Sequence, residues 1–195
     1  MASFITSKCG PLKGSIKVPG DKSISHRSIM LGSIATGITN ISGFLEGEDS
    51  LATLNSFKEM GVQIKRQGSH VTINGVGMHG LRESSKPLNL GNSGTSIRLM
   101  SGLLSAQRFD SELCGDESLS KRPMARVIDP LREMGADISG PDSKPPLRIK
   151  GGKKLSSLKY TLPVASAQIK SCLLLAGLYA EGKTHIIENG ISRDH

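Results

Sequence analysis

The feature that most restricts what this chain can fold into is that it repeats itself. KEMGVQI at 58–64 is echoed by REMGADI at 132–138, displaced by 74 positions, and PGDKSISHR at 19–27 is echoed by LGNSGTSIR at 90–98, displaced by 71. Connections of unequal length absorb the difference. A repeat of this period marks a supersecondary module that buries its apolar face only against its own copies. Hydrophobic periodicity gives each module one order of elements. The first reads as a strand at GSIKV, a helix over 22–36, a strand at TNISGF, a helix over 49–60, and a strand pair at VQIKR and HVTIN. The second reads as a strand over 87–91, a helix over 94–106, a strand at FDSELCG, a helix over 123–134, and a pair at ADIS and LRIKG. KYTLPVASAQIKSCLLLAGLYAEGKTHIIE opens a third copy as strand, helix, strand, and the sequence reaches His195 in mid-module. The expected class is therefore α/β, with βαβαββ units at about 21–80, 81–152 and 153–195, some two and a half units in all, arranged around buried helices.

The first helix of each unit is the informative one. The segment 166–180, SAQIKSCLLLAGLYA, is apolar around most of its circumference, which predicts burial. Three buried helices related by the repeat place three polar N-termini at one end of the molecule. These termini carry Ser23 and Ser25; Asn92, Ser93, Gly94 and Thr95; and Ser166 and Gln168. A cation follows within two turns each time: Lys22 and Arg27, then Arg98, then Lys170. Serine, asparagine and aspartate are good helix caps, so one such terminus calls for nothing further. Three converging ones, each with free backbone N–H groups and a partial positive charge, make a cavity suited to a small, multiply charged anion.

The formal charge of +8 points the same way, toward acidic partners. Nucleic acid is disfavoured, because only 3% of residues are aromatic, there is no Trp, and no dense Lys/Arg block occurs. No apolar run has the length of a membrane span and the N-terminus lacks a signal-peptide pattern, so a cytoplasmic location is expected. Cys9, Cys114 and Cys172 are too scattered for a disulfide framework or zinc site, and no metal or cofactor is expected. GVGMHG at 75–80 matches a dinucleotide fingerprint in letters alone. The polar, proline-closed LRESSKP that follows provides no helix for a pyrophosphate. In GDESLSKRPM, Pro123 fits a first helical turn and sets Lys121 and Arg122 at the mouth of another helix, where Glu48 and Asp49 stand in the first unit.

PGDKSISHR, LGNSGTSIR, DESLSKRPM, VASAQIKSCLLLAGLYA and SRDH, in this order, closely resemble the N-terminal half of the 5-enolpyruvylshikimate-3-phosphate synthase family. The resemblance is collinear over essentially the whole chain. It implies one of two globules of three βαβαββ units each, and transfer of the enolpyruvyl group of phosphoenolpyruvate to the 5-hydroxyl of shikimate 3-phosphate. Position by position, it implies that Lys22, Asn92, Gly94, Thr95, Arg98, Arg122 and Gln168 meet phosphoenolpyruvate. Lys22, Ser23, Arg27, Ser166, Ala167, Gln168 and Arg193 would meet shikimate 3-phosphate, with Lys170 close by. Arg122 suits the role because a planar guanidinium grips carboxylate or phosphate through two hydrogen bonds. Gly94 suits it because backbone and ligand must approach closely there.

The resemblance further implies that residues 1–20 are strands of the second, C-terminal globule, that Lys22 to Arg27 sit at the hinge, and that the family is usually monomeric. The proton-transfer carboxylates belong to that second globule, so no catalytic residue is expected within these 195 residues, and the chain alone is expected to be inactive. Ser-Ala-Gln at 166–168, where many relatives have Ser-Ser-Gln, points to the other main branch of the family. Two further readings are an anion-binding module without catalysis and one half of a split enzyme. The UDP-N-acetylglucosamine enolpyruvyltransferase branch fits less well, since its Lys-Asn start and reactive loop cysteine have no counterpart here. Glyphosate inhibits the family, and Gly94→Ala is expected to weaken it more than phosphoenolpyruvate.

Overall fold

The computed structural model describes residues 3–190 and Ser192. Within them the repeat is visible as geometry. The first unit has α1 (Lys22–Ile34), β1 (Thr36–Ile41), α2 (Glu48–Glu59), β2 (Gln63–Gln67) and β3 (His70–Val76). The second has β4 (Leu88–Asn89), α3 (Gly94–Leu104), β5 (Ser111–Cys114), a short α4 (Glu117–Ser120), α5 (Ala125–Glu133), β6 (Asp137–Ser139) and β7 (Leu147–Lys150). The third has β8 (Lys159–Leu162), α6 (Ala167–Gly177) and β9 (His185–Glu188). Three sheets result, ordered β1-β3-β2, β4-β5-β7-β6 and β8-β9. The β2–β3 and β6–β7 pairs are antiparallel hairpins, whereas β4–β5 and β8–β9 are parallel pairs that span a helix.

The repeated EMG letters have one physical cause. After α2, the Val62 N–H reaches back to the Phe57 carbonyl at 3.0 Å and the Gly61 N–H to Lys58 at 3.0 Å. After α5, Ala136 reaches Leu131 at 3.0 Å and Gly135 reaches Arg132 at 2.9 Å. This double closure needs a left-handed residue, and Gly61 and Gly135 adopt φ of +89° and +96°.

The core is built on α3, which touches α1, α2, α5 and α6. Along its length only Thr95 and Arg98 escape full burial. Ile97, Leu99, Met100, Leu103 and Leu104 are completely enclosed; truncating such a side chain to alanine typically costs about 2–5 kcal/mol. Small residues bring α3 and α6 very close: a Cβ added to Gly102 would lie 2.0 Å from the Cys172 carbonyl oxygen. Burial in this contact pushes the Cys172 thiol up to about 12, so it packs as an inert apolar group.

Three expectations need correction. GSIKV forms no strand: residues 3–20 have no regular secondary structure and expose Phe4, Ile5, Leu12, Ile16 and Val18. Strand propensity requires a partner edge, and β1 lacks the parallel neighbour that β5 and β9 have. Pro123 lies before α5 rather than in its first turn, because α4 and its Lys121 cap occupy the intervening chain. Finally, α1 and α6 are not buried all round. Ile24 and Leu31 on α1, and Leu174 on α6 with Leu178 at its C-cap, remain about half exposed: α2 packs on α1 and α3, α5 on α3 and α6, and no further described helix besides α3 packs on both α1 and α6. Among the described residues no helix is long and apolar enough to cross a membrane.

Candidate functional site

The three helices expected to converge do so, and each starts on a side-chain cap. Asp21 Oδ1 accepts from the Ile24 N–H at 2.8 Å, Ser93 Oγ from Ser96 at 3.1 Å, and Ser166 Oγ from Ile169 at 3.4 Å. Capping thus occupies one amide per helix, and on α3 a second is taken, the Gly94 N–H donating to the Asn92 carbonyl oxygen at 3.0 Å. On α1 the cap is Asp21; Ser25 instead donates to the Asp21 carbonyl oxygen at 2.7 Å and accepts from the Leu45 N–H at 3.0 Å, serving the fold.

At that shared end lies a cleft of about 450 Å³ lined by Lys22, Asp49, Asn92, Gly94, Thr95, Arg122 and Gln168. Lys22 comes from the first turn of α1, Gly94 and Thr95 from that of α3, and Gln168 from that of α6. Asn92 and Arg122 approach from the loops before α3 and after α4 and bond to one another, the guanidinium donating to the Asn92 side-chain oxygen. Gln168 knits the floor. Its Nε2 donates to Thr95 Oγ1 at 2.9 Å, and its Oε1 accepts from Arg98 Nη1 at 3.1 Å, which also donates to the Gly94 carbonyl oxygen at 3.1 Å.

The cleft is cationic at a cost. Arg98 is half-buried, and desolvation, then Arg122 and Arg126, pull its guanidinium below the ordinary arginine value while leaving it charged. Gly94 marks the tightest point, since a Cβ there would lie 2.7 Å from Arg122 Nη1 and 2.8 Å from Arg98 Nη1. One acid belongs to the lining: Asp49, in the first turn of α2, pairs with Lys22. The sequence alone singles out no carboxylate for this cleft. The available signal was the repeat-equivalence of Asp49 to Arg122, which also faces the cleft.

The remaining expected residues are placed differently. Arg27 turns along α1 and donates to the Ser23 carbonyl oxygen at 3.1 Å and to Ser171 Oγ at 2.6 Å, bridging α1 to α6 beside an apolar depression. Ser23 lies half-buried in the first turn of α1, and Ser166 and Ala167 stand at the start of α6, outside the seven-residue lining. Lys170, expected among the pocket cations, lies against Glu188 at 2.8 Å, with both side chains largely covered. Glu188 also receives the Ser192 hydroxyl and the Ser166 N–H, and the Lys170 and Ser192 bonds hold its carboxyl below the usual range. Lys121 does not join Arg122; it pairs with Glu117 one turn back on α4. Arg193 lies outside the described residues, as do Asp194 and His195.

Beneath the cleft is a feature the sequence reading left unassigned. His26, fully buried, puts Nδ1 2.8 Å from Thr53 Oγ1 and 3.3 Å from Ser96 Oγ. Its signal was positional: 26, 29, 30 and 33 share one helical face, and all four are buried.

Comparison with known proteins gives a consistent result. The sequence profile of the EPSP synthase (3-phosphoshikimate 1-carboxyvinyltransferase) family matches residues 6–195. The chain is 64% identical over 195 residues to a 3-phosphoshikimate 1-carboxyvinyltransferase of Ruthia magnifica, and 59% identical over 196 to one of Legionella pneumophila. Both alignments cover 100% of this chain and 45% of the relative, so the chain spans less than half the length of these curated relatives. A solved EPSP synthase structure from Acinetobacter baumannii superimposes with a TM-score of 0.90 at 58% identity, over 93% of this chain and 41% of that one.

Proposed function

The chain belongs to the EPSP synthase (3-phosphoshikimate 1-carboxyvinyltransferase) family, with its α/β enolpyruvyltransferase-type fold, and from that membership we propose that it supplies one wall of a site transferring enolpyruvyl from phosphoenolpyruvate to the 5-hydroxyl of shikimate 3-phosphate. The observation that carries this reading is the cleft where Lys22, Gly94, Thr95, Arg122 and Gln168 meet from three helix starts and one loop. Both substrates combine a phosphate with a carboxylate, and such a cleft favours both groups through free amides and guanidinium forks.

In this reading Lys22, Arg122 and Arg98 offset the charge of phosphoenolpyruvate, with Asn92 steering Arg122 and the start of α3 at Gly94 and Thr95 approaching the ligand. Gln168 lies between the two substrates. Ser23, Arg27, Ser166, Ala167 and Arg193 meet shikimate 3-phosphate. The acceptor hydroxyl oxygen bonds to the enolpyruvyl carbon bearing phosphate, the bond from that carbon to the phosphate oxygen breaks, and inorganic phosphate leaves. The step needs an acid that protonates the enol methylene, a base that takes that proton back as phosphate leaves and so restores the vinyl group, and a base for the hydroxyl. Of the described residues lining the cleft only Asp49 is a carboxylate, and it is paired with Lys22. We therefore assign the proton transfers to a companion globule and expect this chain alone to bind without turnover. The exposed apolar side chains of residues 3–20 support assigning that segment to strands of the same companion.

The test is to mix the chain with a separately produced C-terminal portion of a family relative and follow phosphate release from phosphoenolpyruvate in the presence of shikimate 3-phosphate. Turnover in the mixture and none from either part is expected. If the mixture is inactive and the chain binds neither substrate, the reading fails; binding with no turnover in the mixture supports an anion-binding module instead.

A further inference from the structure

Four hydrogen-bonding side chains form a buried line beneath the cleft, contributed by three helices. His26 Nδ1 on α1 meets Thr53 Oγ1 on α2 at 2.8 Å, Thr53 meets Ser96 Oγ on α3 at 2.6 Å, and Ser96 meets the α3 cap, Ser93 Oγ, at 2.6 Å. All four residues are buried. On each of the three helices the line lies within about one turn of a cleft residue. Lys22 lies four residues before His26, Asp49 four before Thr53, and Gly94 directly after Ser93. Thr53 Oγ1 also lies 3.2 Å from the Asp49 carbonyl oxygen.

The donor direction selects the tautomer, because Ser96 Oγ donates to Ser93 Oγ. A proton on His26 Nδ1 can be given to Thr53, which frees the Thr53 hydroxyl to donate to Ser96 and the Ser96 hydroxyl to donate to Ser93. Without it, the Thr53 hydroxyl would donate to the ring while the Ser96 hydroxyl donates to Ser93, and the Thr53–Ser96 link would have no proton. Nε2 is then a bare acceptor; it is buried and has no hydrogen-bond partner among the described residues.

We propose that His26 is a positioning residue that, through Thr53 and Ser96, sets the spacing of α1, α2 and α3 at which Lys22, Asp49 and Gly94 share one cleft. An apolar residue in its place would fill the volume and leave Thr53 and Ser96 without the donor that orders them. The functional consequence rests on the substrate reading above; the geometrical one does not.

Three proteins decide it: native, His26→Leu and His26→Asn, whose Nδ2 can donate to Thr53 as Nδ1 does. In folded His26→Leu, the amide resonances of Gly94 and Thr95 are expected to move and the affinity for shikimate 3-phosphate with phosphoenolpyruvate to fall roughly ten- to hundred-fold. His26→Asn is expected to restore both. If folded His26→Leu keeps native Gly94 and Thr95 resonances, the proposal is overturned. Should the native chain bind neither substrate, the substrate reading fails and the resonances still decide the positioning role. If His26→Leu does not fold, imidazole nitrogen shifts of the native protein decide: a proton on Nδ1 and a bare Nε2 support the proposal, and the opposite tautomer overturns it.

Discussion

Gln168 and Thr95, 73 residues apart in the chain, are joined by a 2.9 Å hydrogen bond from Nε2 to Oγ1. The contact ties the first turn of α6 to that of α3, while the other end of the same amide accepts from Arg98 at 3.1 Å. One side chain thus sets both the spacing of two helix starts and the direction of the Arg98 guanidinium, which lies outside the cleft lining.

Gln168→Glu separates these duties. A carboxylate still accepts from Arg98 but cannot donate to Thr95, and it adds a negative charge to the lining. The denaturation midpoint should correspond to a loss of about 1 kcal/mol, one hydrogen bond, whereas affinity for phosphoenolpyruvate should fall more than about ten-fold. Calorimetric titration beside a urea unfolding curve measures both, and undiminished affinity would count against an anionic ligand at this position.

Gly94→Ala acts on the guanidinium pair. Its Cβ would stand 2.7 Å and 2.8 Å from Arg122 and Arg98, so both must withdraw. Because these are the movable ends of side chains, the fold should tolerate the change. Competition binding is expected to show glyphosate affinity reduced by about ten-fold and phosphoenolpyruvate affinity reduced less; equal losses would contradict the expectation.

Gly102→Ala tests the frame instead. Here the new Cβ would lie 2.0 Å from the Cys172 backbone oxygen, and two packed helices have to separate. A loss of about 1–3 kcal/mol in chemical denaturation is expected. A stability equal to that of the native chain would show that α3 and α6 are not in this contact.

Acid should weaken the frame through His26. Burial lowers its pKa from 6.5 to about 4; Lys22 and Arg27 act in the same direction and Asp49 opposes them. The unfolded chain therefore holds a proton that the native chain refuses between pH 6.5 and about 4. The stability this confers is complete above that window and is lost as pH falls through it, in total on the order of 3 kcal/mol. Unfolding curves at pH 7.5 and 4.5 should differ more for the native chain than for His26→Asn, and identical differences would remove His26 as the cause.

What the sequence discloses and what it conceals divide along a physical line. The helices were legible because an amphipathic period and a cap are local: Asp21, Ser93 and Ser166 announce α1, α3 and α6 wherever they pack. The repeat carried that legibility into three dimensions, since equivalent helices start at equivalent places, and so Lys22, Gly94 and Gln168 could be grouped before any distance was known. Choices of hydrogen-bond partner are not local. Nothing in the letters says that Lys22 takes Asp49, that Lys170 takes Glu188, or that Arg27 turns toward Ser171 instead of the cleft. GSIKV misled for the same reason, because strand propensity is expressed only when an edge is available to it.

The most direct test of the shared cleft is an amide-resolved NMR titration of the chain with shikimate 3-phosphate and phosphoenolpyruvate together. The account predicts that Ser23, Gly94, Thr95, Ala167 and Gln168 shift along one saturation curve, because the starts of α1, α3 and α6 meet the same pair of anions. Saturable shifts confined to one helix start, or none at all at millimolar ligand, would contradict it.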